Sequence, residues 1–391
     1  MNPWTSAWAG LLALAVAIGI GRFAFTPILP MMQDDFGLTI AQAGWLASAN
    51  YAGYLAGALA AISPRLRAAI AIRAGLVVIG LSSVAMSMEQ LFLAWLALRF
   101  IAGVASAWVL VFVSAWALER LAVLGRPGLS GVVYAGVGSG IVIAGGVCLV
   151  VTERNGGSGS AWIALGVLSI FATAFIWTLA AGGVSGGAVS PAPAANLRGA
   201  EYWRLVLCYG AFGFGYIIPA TFLPALAREI VPDPRLFGWA WPAFGAAAIV
   251  STLYAARLSR RLSNRITWIG GHLVMALGVV LPLMVPGLPG IIAAAVLVGG
   301  TFMVITMAGM QEARRAAGPQ ARALMAAMTS AFALGQILGP MTVTFLPHGF
   351  APALILAASI LALSALLLLK GDRHVRTDAA PRPGQDERRP A

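Results

Sequence analysis

Two arginines, Arg22 and Arg99, lie deep inside long apolar runs of the amino-acid sequence. An arginine at the centre of a membrane-spanning helix costs about 2.5–3.5 kcal/mol on translocon-based scales, so both need compensating interactions. All 13 acidic residues can be placed in loops, in the tail or at helix ends, which leaves no carboxylate at the depth of the arginines. Because a planar guanidinium suits a carboxylate, sulfonate or phosphate, we expect an anionic substrate to be the missing partner.

The same two side chains have a structural alternative. Each guanidinium can instead donate to helix carbonyl oxygens and hold two helices together. At about 1.5 Å per residue, Arg22 lies about 15 Å and Arg99 about 12 Å from the outer ends of their predicted helices, near the bilayer midplane. The two arginines are therefore expected at one level, and both roles remain open for each of them.

Helical spacing selects further candidates around the two arginines. Thr26 follows Arg22 by one helical turn. Gly103 and Ser106 lie one and two turns after Arg99, which gives that helix a small and partly polar face. Such a face either binds substrate or allows another helix to pack closely. The other substrate-binding candidates, each with packing as its alternative, are Asn50, Tyr54, Trp108, Tyr216 and Gln336.

Glycines, prolines and two carboxylates form a second group of candidates. Small residues in membrane helices allow backbones to approach, and prolines interrupt helical hydrogen bonding, so both types suit gating or helix packing. These residues are Gly21, Gly103, Gly138, Gly140, Pro30 and Pro224. Asp34 and Asp35 end the first apolar run, where they either cap the helix, take part in an outer gate or titrate in a proton-coupled transporter.

The composition indicates that membrane-spanning helices position these residues. Of 391 residues, 60% are hydrophobic and 10% are charged, whereas soluble domains average about 45–50% apolar and about 25% charged residues. Apolar runs of about 20 residues, the length that crosses a bilayer core of about 30 Å, predict an all-α integral membrane protein with twelve transmembrane helices. These helices are predicted near residues 6–32, 41–62, 70–88, 91–117, 129–151, 161–181, 203–227, 238–256, 266–286, 289–310, 323–346 and 351–370.

Polar segments divide the predicted helices into two groups of six. Residues 1–181 are predicted to form an N-terminal six-helix bundle, and residues 203–370 a C-terminal one. The segment 182–202 is rich in Gly, Ser, Pro and Ala, which is typical of a flexible linker. The tail at 371–391 is charged and poor in apolar residues, and we expect it to be disordered.

The distribution of charge predicts the orientation in the membrane. The chain has a net charge of +12, which in a soluble protein would suggest a nucleic-acid partner. Here twenty of the 25 Lys and Arg residues lie on one side of the predicted topology and only three on the other. The positive-inside rule then places both termini, the linker and the tail in the cytoplasm. The net charge is thus mainly a topology signal, and we expect no nucleic-acid partner.

An internal repeat relates the two predicted bundles. A shift of 194 residues places Tyr216 on Arg22, so that the halves offer a phenol and a cation at equivalent positions. The same shift superposes Gly19, Gly21 and Pro30 on Gly213, Gly215 and Pro224. Parallel repeats of this kind place a substrate site at the interface between the halves.

The opening segment GIGRFAFTPILPMMQDDFGLTIAQAGWLASANYAGYLAGAL resembles the YbfB/YjiJ-type branch of the major facilitator superfamily of transporters. The run from Arg99 to Gly103 is similar to the superfamily's motif in its fourth helix. Residues 63–67 depart from the family pattern because they contain no carboxylate, and the glycine-rich run 138–146 lacks the proline of the antiporter motif. The resemblance implies two pseudo-symmetric six-helix bundles that rock around a central cavity lined mainly by the first, fourth, seventh and tenth helices.

These observations favour a secondary active transporter of a small, carboxylate-like organic anion in a bacterial inner membrane. No nucleotide-binding loop is present, so energy would come from an ion gradient or from exchange. We expect a monomer in the bilayer without a cofactor or metal. The first alternative is a proton-coupled drug or metabolite efflux transporter of the same fold. Its cavity would be lined by aromatic residues, namely Phe23, Phe25, Trp95, Trp108, Phe212 and Trp241.

A membrane-embedded enzyme or a non-transporting sensor is a less favoured alternative. The predicted spans contain no set of nucleophile, base and orienting residue, and the three histidines are too scattered for a metal site. The tail is too short to fold as an output domain. We therefore expect a protein without catalytic residues.

Overall fold

The computed structural model describes residues 2–88, 92–180, 199–230, 239–258, 261–345 and 350–377. Over these ranges the chain is helical, and each of the twelve predicted segments overlaps a helix. The α-helices are α1 (Pro3–Leu14), α2 (Phe25–Phe36), α3 (Ile40–Ile62), α4 (Ala68–Ala85), α5 (Phe92–Val123), α6 (Ser130–Glu153), α7 (Ser158–Ala180), α8 (Ala200–Ile230), α9 (Ala240–Leu258), α10 (Asn264–Met284), α11 (Leu288–Ala317), α12 (Ala321–Phe345) and α13 (Phe350–Thr377).

Nine helical stretches in the described ranges are long and apolar enough to cross a membrane. Two of them join neighbouring helices: Pro3–Phe36 contains α1 and α2, and Leu288–Thr342 contains α11 and most of α12. Helices α3 and α9 do not belong to these nine stretches of the described chain. The described part of the chain is thus all-helical and has the apolar helices of a multi-pass membrane protein, and the count of twelve spans stays a prediction.

The first predicted helix, 6–32, is not continuous in the structure. After α1 the chain forms a π-helix at Ala15–Ile20 and a turn over residues 21–24 before α2 begins at Phe25. The amides of Gly21 and Phe23 bond carbonyl oxygens five residues earlier, at 2.9 and 3.1 Å. The prediction of one uninterrupted helix is wrong here because Pro27, just after the break, has no amide hydrogen and restricts the preceding residue.

The contacts between helices repeat along the chain. In the first half, α1 packs on α6, α3 on α5 and α4 on α7. The corresponding pairs in the second half are α8 with α12, α9 with α11 and α10 with α13. The two halves contact each other through α6 with α9 and through α3 with α12. The pattern agrees with the 194-residue repeat and places the junction of the halves along these helices.

Close backbone contacts explain why glycine is required at two of the positions predicted to serve gating or helix packing. A Cβ atom on Gly138 of α6 would lie 2.6 Å from the carbonyl oxygen of Gly245 in α9. A Cβ atom on Gly103 of α5 would lie 2.9 Å from the amide nitrogen of Tyr54 in α3. No side chain fits at either position, so these helices approach one another at backbone distance.

Three of the four remaining members of this group lie in the first helix or pack against it, and the fourth, Pro224, lies in α8. Added Cβ atoms on Gly21 and Gly140 would lie 2.7 Å from the Ala17 carbonyl oxygen and 2.8 Å from the Gly19 Cα, respectively. Pro30 lies inside α2. The backbone of α8 passes through Pro224, but the side chain of this residue lies outside the described part of the structure.

Both ends of the second half extend beyond the predicted boundaries. Residues 181–198 of the predicted linker lie outside the described ranges, and α8 begins at Ala200, inside the 182–202 segment. The last helix continues past residue 370 to Thr377, into the segment 371–391 for which composition predicts disorder. Backbone hydrogen bonds carry a helix through polar residues, and basic side chains at a C-terminus interact favourably with its dipole.

Candidate functional site

Arg99 of α5 binds the broken backbone of the first helix. Its side chain is 3% exposed, and its two terminal nitrogens donate to the carbonyl oxygens of Gly21 and Arg22, each at 3.4 Å. The carbonyl of Arg22 is available because the amide of Thr26, four residues on, bonds Phe23 instead at 3.2 Å. Of the two roles that the sequence leaves open, Arg99 thus has the structural one: it donates to helix carbonyl oxygens and holds two helices together.

Two neighbouring polar side chains fix the position of α5. The Asn50 amide nitrogen of α3 donates to the Arg99 carbonyl oxygen at 3.0 Å. The Ser106 hydroxyl lies 2.7 Å from the carbonyl oxygens of both Ala17 and Ala102. Both candidates therefore connect helices in this structure. Helix α5 is bonded to the first helix at the π-helix, through Ser106, and at the turn that follows it, through Arg99.

Arg22 is positioned by the break itself and has a different environment from Arg99. Its side chain is 5% exposed and donates to the Oε1 atom of Gln336 in α12. The guanidinium carbon lies 4.1 Å from the centre of the Tyr54 ring and 5.3 Å from that of Tyr51, both in α3. Such contacts are cation–π interactions, which stabilise a cation without neutralising it.

The charge of Arg22 has no carboxylate partner among the described residues. The ion pairs found there connect Glu201 with Arg204 and Arg265, and Glu312 with Arg265 and Arg315. Within that part of the chain, the buried Nε of Arg22 and the buried Nε2 of Gln336 also have no hydrogen-bond partner. Two donors and one positive charge are thus available at a single buried place.

Aromatic side chains from the second half surround this place. The Phe23 ring lies 6.3 Å from that of Trp241 and 5.9 Å from that of Phe302. Tyr216 stacks on Phe302 with a centroid distance of 5.4 Å. The Tyr216 side chain is 1% exposed, and its hydroxyl has no hydrogen-bond partner in the described chain. Arg22 therefore lies where the first helix, α3, α8, α11 and α12 come together.

Four other candidates form no hydrogen bond with the Arg22 or Arg99 guanidinium group within the described ranges. Thr26 and Trp108 are half-buried, and the Trp108 indole nitrogen has no partner there. Asp35 accepts hydrogen bonds from the Ser158 amide and hydroxyl, at 2.5 and 2.6 Å, and so caps α7. Asp34 is exposed beside it.

The aromatic candidates separate into two groups. Phe23 lies beside Arg22 and contacts Trp241, and Phe212 packs on Tyr216 with a centroid distance of 6.0 Å. Phe25 lies against Arg99, 4.6 Å from its guanidinium carbon, and Trp95 packs on Phe36 near the end of α2. His272 is buried and accepts a hydrogen bond from the Trp268 indole at 3.0 Å, so it has a structural partner. The described residues hold no cluster of metal-ligating side chains.

Three site residues escaped the sequence analysis: Tyr51, Phe302 and Phe332. Phe332 precedes Gln336 by one turn of α12, and its ring centre lies 5.8 Å from the Arg22 guanidinium carbon. The one-turn spacing from Gln336 indicates a site residue only once the contact between Gln336 and Arg22 is known. Tyr51 and Phe302 are ordinary aromatic residues of apolar helices, and their sequence positions carry no signal of their own.

The long apolar helices and the buried, charged junction between two repeated halves define a multi-pass membrane protein of the transporter class. Residues 14–369 match the family model described as "Uncharacterised MFS-type transporter YbfB". The chain belongs to this family, and it is a secondary transporter of the major facilitator superfamily. No curated protein matches the chain.

Proposed function

We propose that this transporter moves a small organic anion and that Arg22 binds the anionic group. The observation that carries the proposal is the environment of Arg22. This side chain is buried, donates to a neutral amide and has no carboxylate partner in the described chain. A carboxylate substrate would supply the missing charge and accept hydrogen bonds from the Arg22 Nε and the Gln336 Nε2.

The other polar residues then have distinct roles. Tyr216 offers a third buried donor to the anion. Arg99 is a positioning residue, because it holds the carbonyl groups of the break from which the Arg22 side chain extends. Asn50 and Ser106 position α5 for that contact.

The same arrangement supports a proposal for alternating access. We propose twelve spans in two six-helix bundles that rock about α6–α9 and α3–α12, with Arg22 and Gln336 on opposite sides of the junction. The helix pairs that recur in the two halves support this proposal. The surplus of Lys and Arg on one side of the predicted topology supports cytoplasmic termini. We propose that the protein acts as a monomer in a bacterial inner membrane.

The source of energy is an ion gradient or exchange of one anion for another. Asp35 is engaged with Ser158, so in a proton-coupled cycle the proton would travel on the substrate or on the exposed Asp34. A hydrophobic cation, the typical cargo of a drug exporter, is disfavoured because Arg22 and Arg99 would repel it.

Uptake of radiolabelled monocarboxylates into proteoliposomes tests the proposal. Arg22→Gln should abolish uptake, and the exposed Arg126→Gln should retain it as a matched loss of one positive charge. Elution of each variant as a monodisperse, folded peak in size-exclusion chromatography controls for misfolding. Unchanged uptake by Arg22→Gln would contradict the assignment of the anion site.

A further inference from the structure

We infer that the transported anion is an aryl carboxylate, whose carboxylate binds Arg22 and whose ring packs on the side chains of Trp241 and Phe302. The inference rests on the function proposed above and adds the chemical class of the substrate. It is carried by the buried donors without partners and by a continuous aromatic surface beside them.

The donors define the polar end of the ligand. In the described chain, the Arg22 Nε, the Gln336 Nε2 and the Tyr216 hydroxyl are all buried without a hydrogen-bond partner. Each of them has a proton to donate, and a carboxylate has two oxygens that accept about four hydrogen bonds. A ligand with an ionised carboxylate therefore complements this end better than an amine, which would add further donors and a like charge.

The aromatic surface defines the other end. Trp241 stacks on Phe244 with a centroid distance of 5.3 Å and an interplanar angle of 4°. Phe244 in turn stacks on Phe302 at 5.4 Å, and Phe302 on Tyr216 at 5.4 Å. These four rings come from α8, α9 and α11, and they form one surface, which we call the aromatic wall.

Phe23 shows where a ligand ring would bind. It follows Arg22 in the break of the first helix, and its ring contacts the aromatic wall at Phe302, edge to face, and at Trp241. The Phe23 ring centre is 5.8 Å from the Arg22 guanidinium carbon. An aryl carboxylate carries its carboxyl group directly on the ring, so it spans the same short distance between a cation and the wall.

Separation of the two halves would expose the wall. Phe23 belongs to the first half of the chain, and the wall belongs to the second half. When the halves move apart in the transport cycle, Phe23 leaves Trp241 and Phe302, and a ligand ring of similar size can replace it. A purely aliphatic or strongly hydrated anion would bind Arg22 but would leave these ring faces without an aromatic partner.

Isothermal titration calorimetry on the purified full-length protein tests the inference with benzoate, cyclohexanecarboxylate, acetate and benzamide. We expect benzoate to bind at least tenfold more tightly than cyclohexanecarboxylate or acetate, and benzamide to bind at least tenfold more weakly than benzoate. Trp241→Leu should weaken benzoate binding about fivefold or more and leave acetate binding unchanged. Trp241→Phe should restore most of the affinity, and the exposed Trp4→Leu should have no effect.

The outcomes separate the two proposals. Equal binding of all three carboxylates, lost in Arg22→Gln, would overturn the aryl specificity and support the anion site. The anion site itself would be overturned if Arg22→Gln still bound benzoate. It would also be overturned if benzamide bound as tightly as benzoate. Absence of heat with every carboxylate would overturn both, and tight benzoate binding that depends on both Arg22 and Trp241 would support both.

Discussion

A terminal nitrogen of the Arg99 side chain donates to the backbone carbonyl oxygen of Arg22 at 3.4 Å. One buried arginine thus stabilises the backbone from which the other extends. The first is satisfied by carbonyl groups of the broken helix, while the second has a neutral amide and aromatic rings around it. The two arginines occupy one level of the molecule, but their chemistry differs.

This difference predicts opposite effects of two similar substitutions on stability. Arg99→Gln should lower the melting temperature, because unsatisfied buried carbonyl groups cost about 1–3 kcal/mol each. Arg22→Gln should leave it unchanged or raise it, because a buried charge without an ionic partner is removed. Thermal unfolding in detergent, followed by intrinsic fluorescence, measures both. Equal destabilisation by the two substitutions would contradict the assignment of separate roles.

Gln336 offers a way to replace the substrate by a side chain. In Gln336→Glu a carboxylate would lie against the Arg22 guanidinium, which already contacts this side chain. We expect benzoate affinity to fall at least tenfold, because the site then contains its own anion. The exposed Gln320→Glu adds the same charge elsewhere and should retain affinity. Full benzoate binding by Gln336→Glu would show that the anion does not bind at Arg22.

The junction of α6 and α9 predicts a sharp contrast between two glycines of one helix. A Cβ atom at Gly138 would lie 2.6 Å from the Gly245 carbonyl oxygen, whereas nothing lies within 4 Å of one at Gly146. Gly138→Ala should therefore reduce the transport rate at least tenfold, and Gly146→Ala should change it less than twofold. Initial uptake rates at matched protein content test this contrast. Similar rates for both variants would show that close packing of α6 on α9 is not required.

Arg322 connects the two halves at another place. Its terminal nitrogens donate to the carbonyl oxygens of Leu66 and Ser63 at 3.1 and 3.3 Å, in the segment between α3 and α4. Arg322→Ala should increase amide hydrogen exchange in residues 63–67 at least fivefold, because their anchor to α12 is lost. Mass spectrometry of peptic fragments measures this exchange, with Arg126→Ala as the control. Unchanged protection of residues 63–67 would exclude a holding role for Arg322.

Part of this account could be predicted from the sequence. Apolar runs are local signals, so the positions of the helices and the common level of Arg22 and Arg99 follow from spacing alone. The apolar run predicts a continuous first helix, although Pro27 follows glycines at 19 and 21, a combination that favours a helix break. The break matters because it determines which carbonyl groups are available to Arg99.

The rest depends on contacts between distant parts of the chain. Gln336 is one of several polar candidates in the sequence, and its contact with Arg22 comes from the packing of α12 on α3. Phe302 and Phe332 look like ordinary core residues in the sequence. Phe332 contacts Arg22 and Phe302 contacts the neighbouring Phe23. Both contacts follow from the way the two halves meet, which no local sequence pattern records.

The most direct test of the central claim is nitrogen NMR of the protein labelled with 15N-arginine. The Nε–H resonance of Arg22, assigned by its absence from Arg22→Gln, should shift saturably when benzoate is added. The Arg99 resonance, assigned in the same way with Arg99→Gln, should shift much less, because that side chain is held by backbone carbonyl groups. Saturable benzoate binding by calorimetry with no change in the Arg22 resonance would contradict the account.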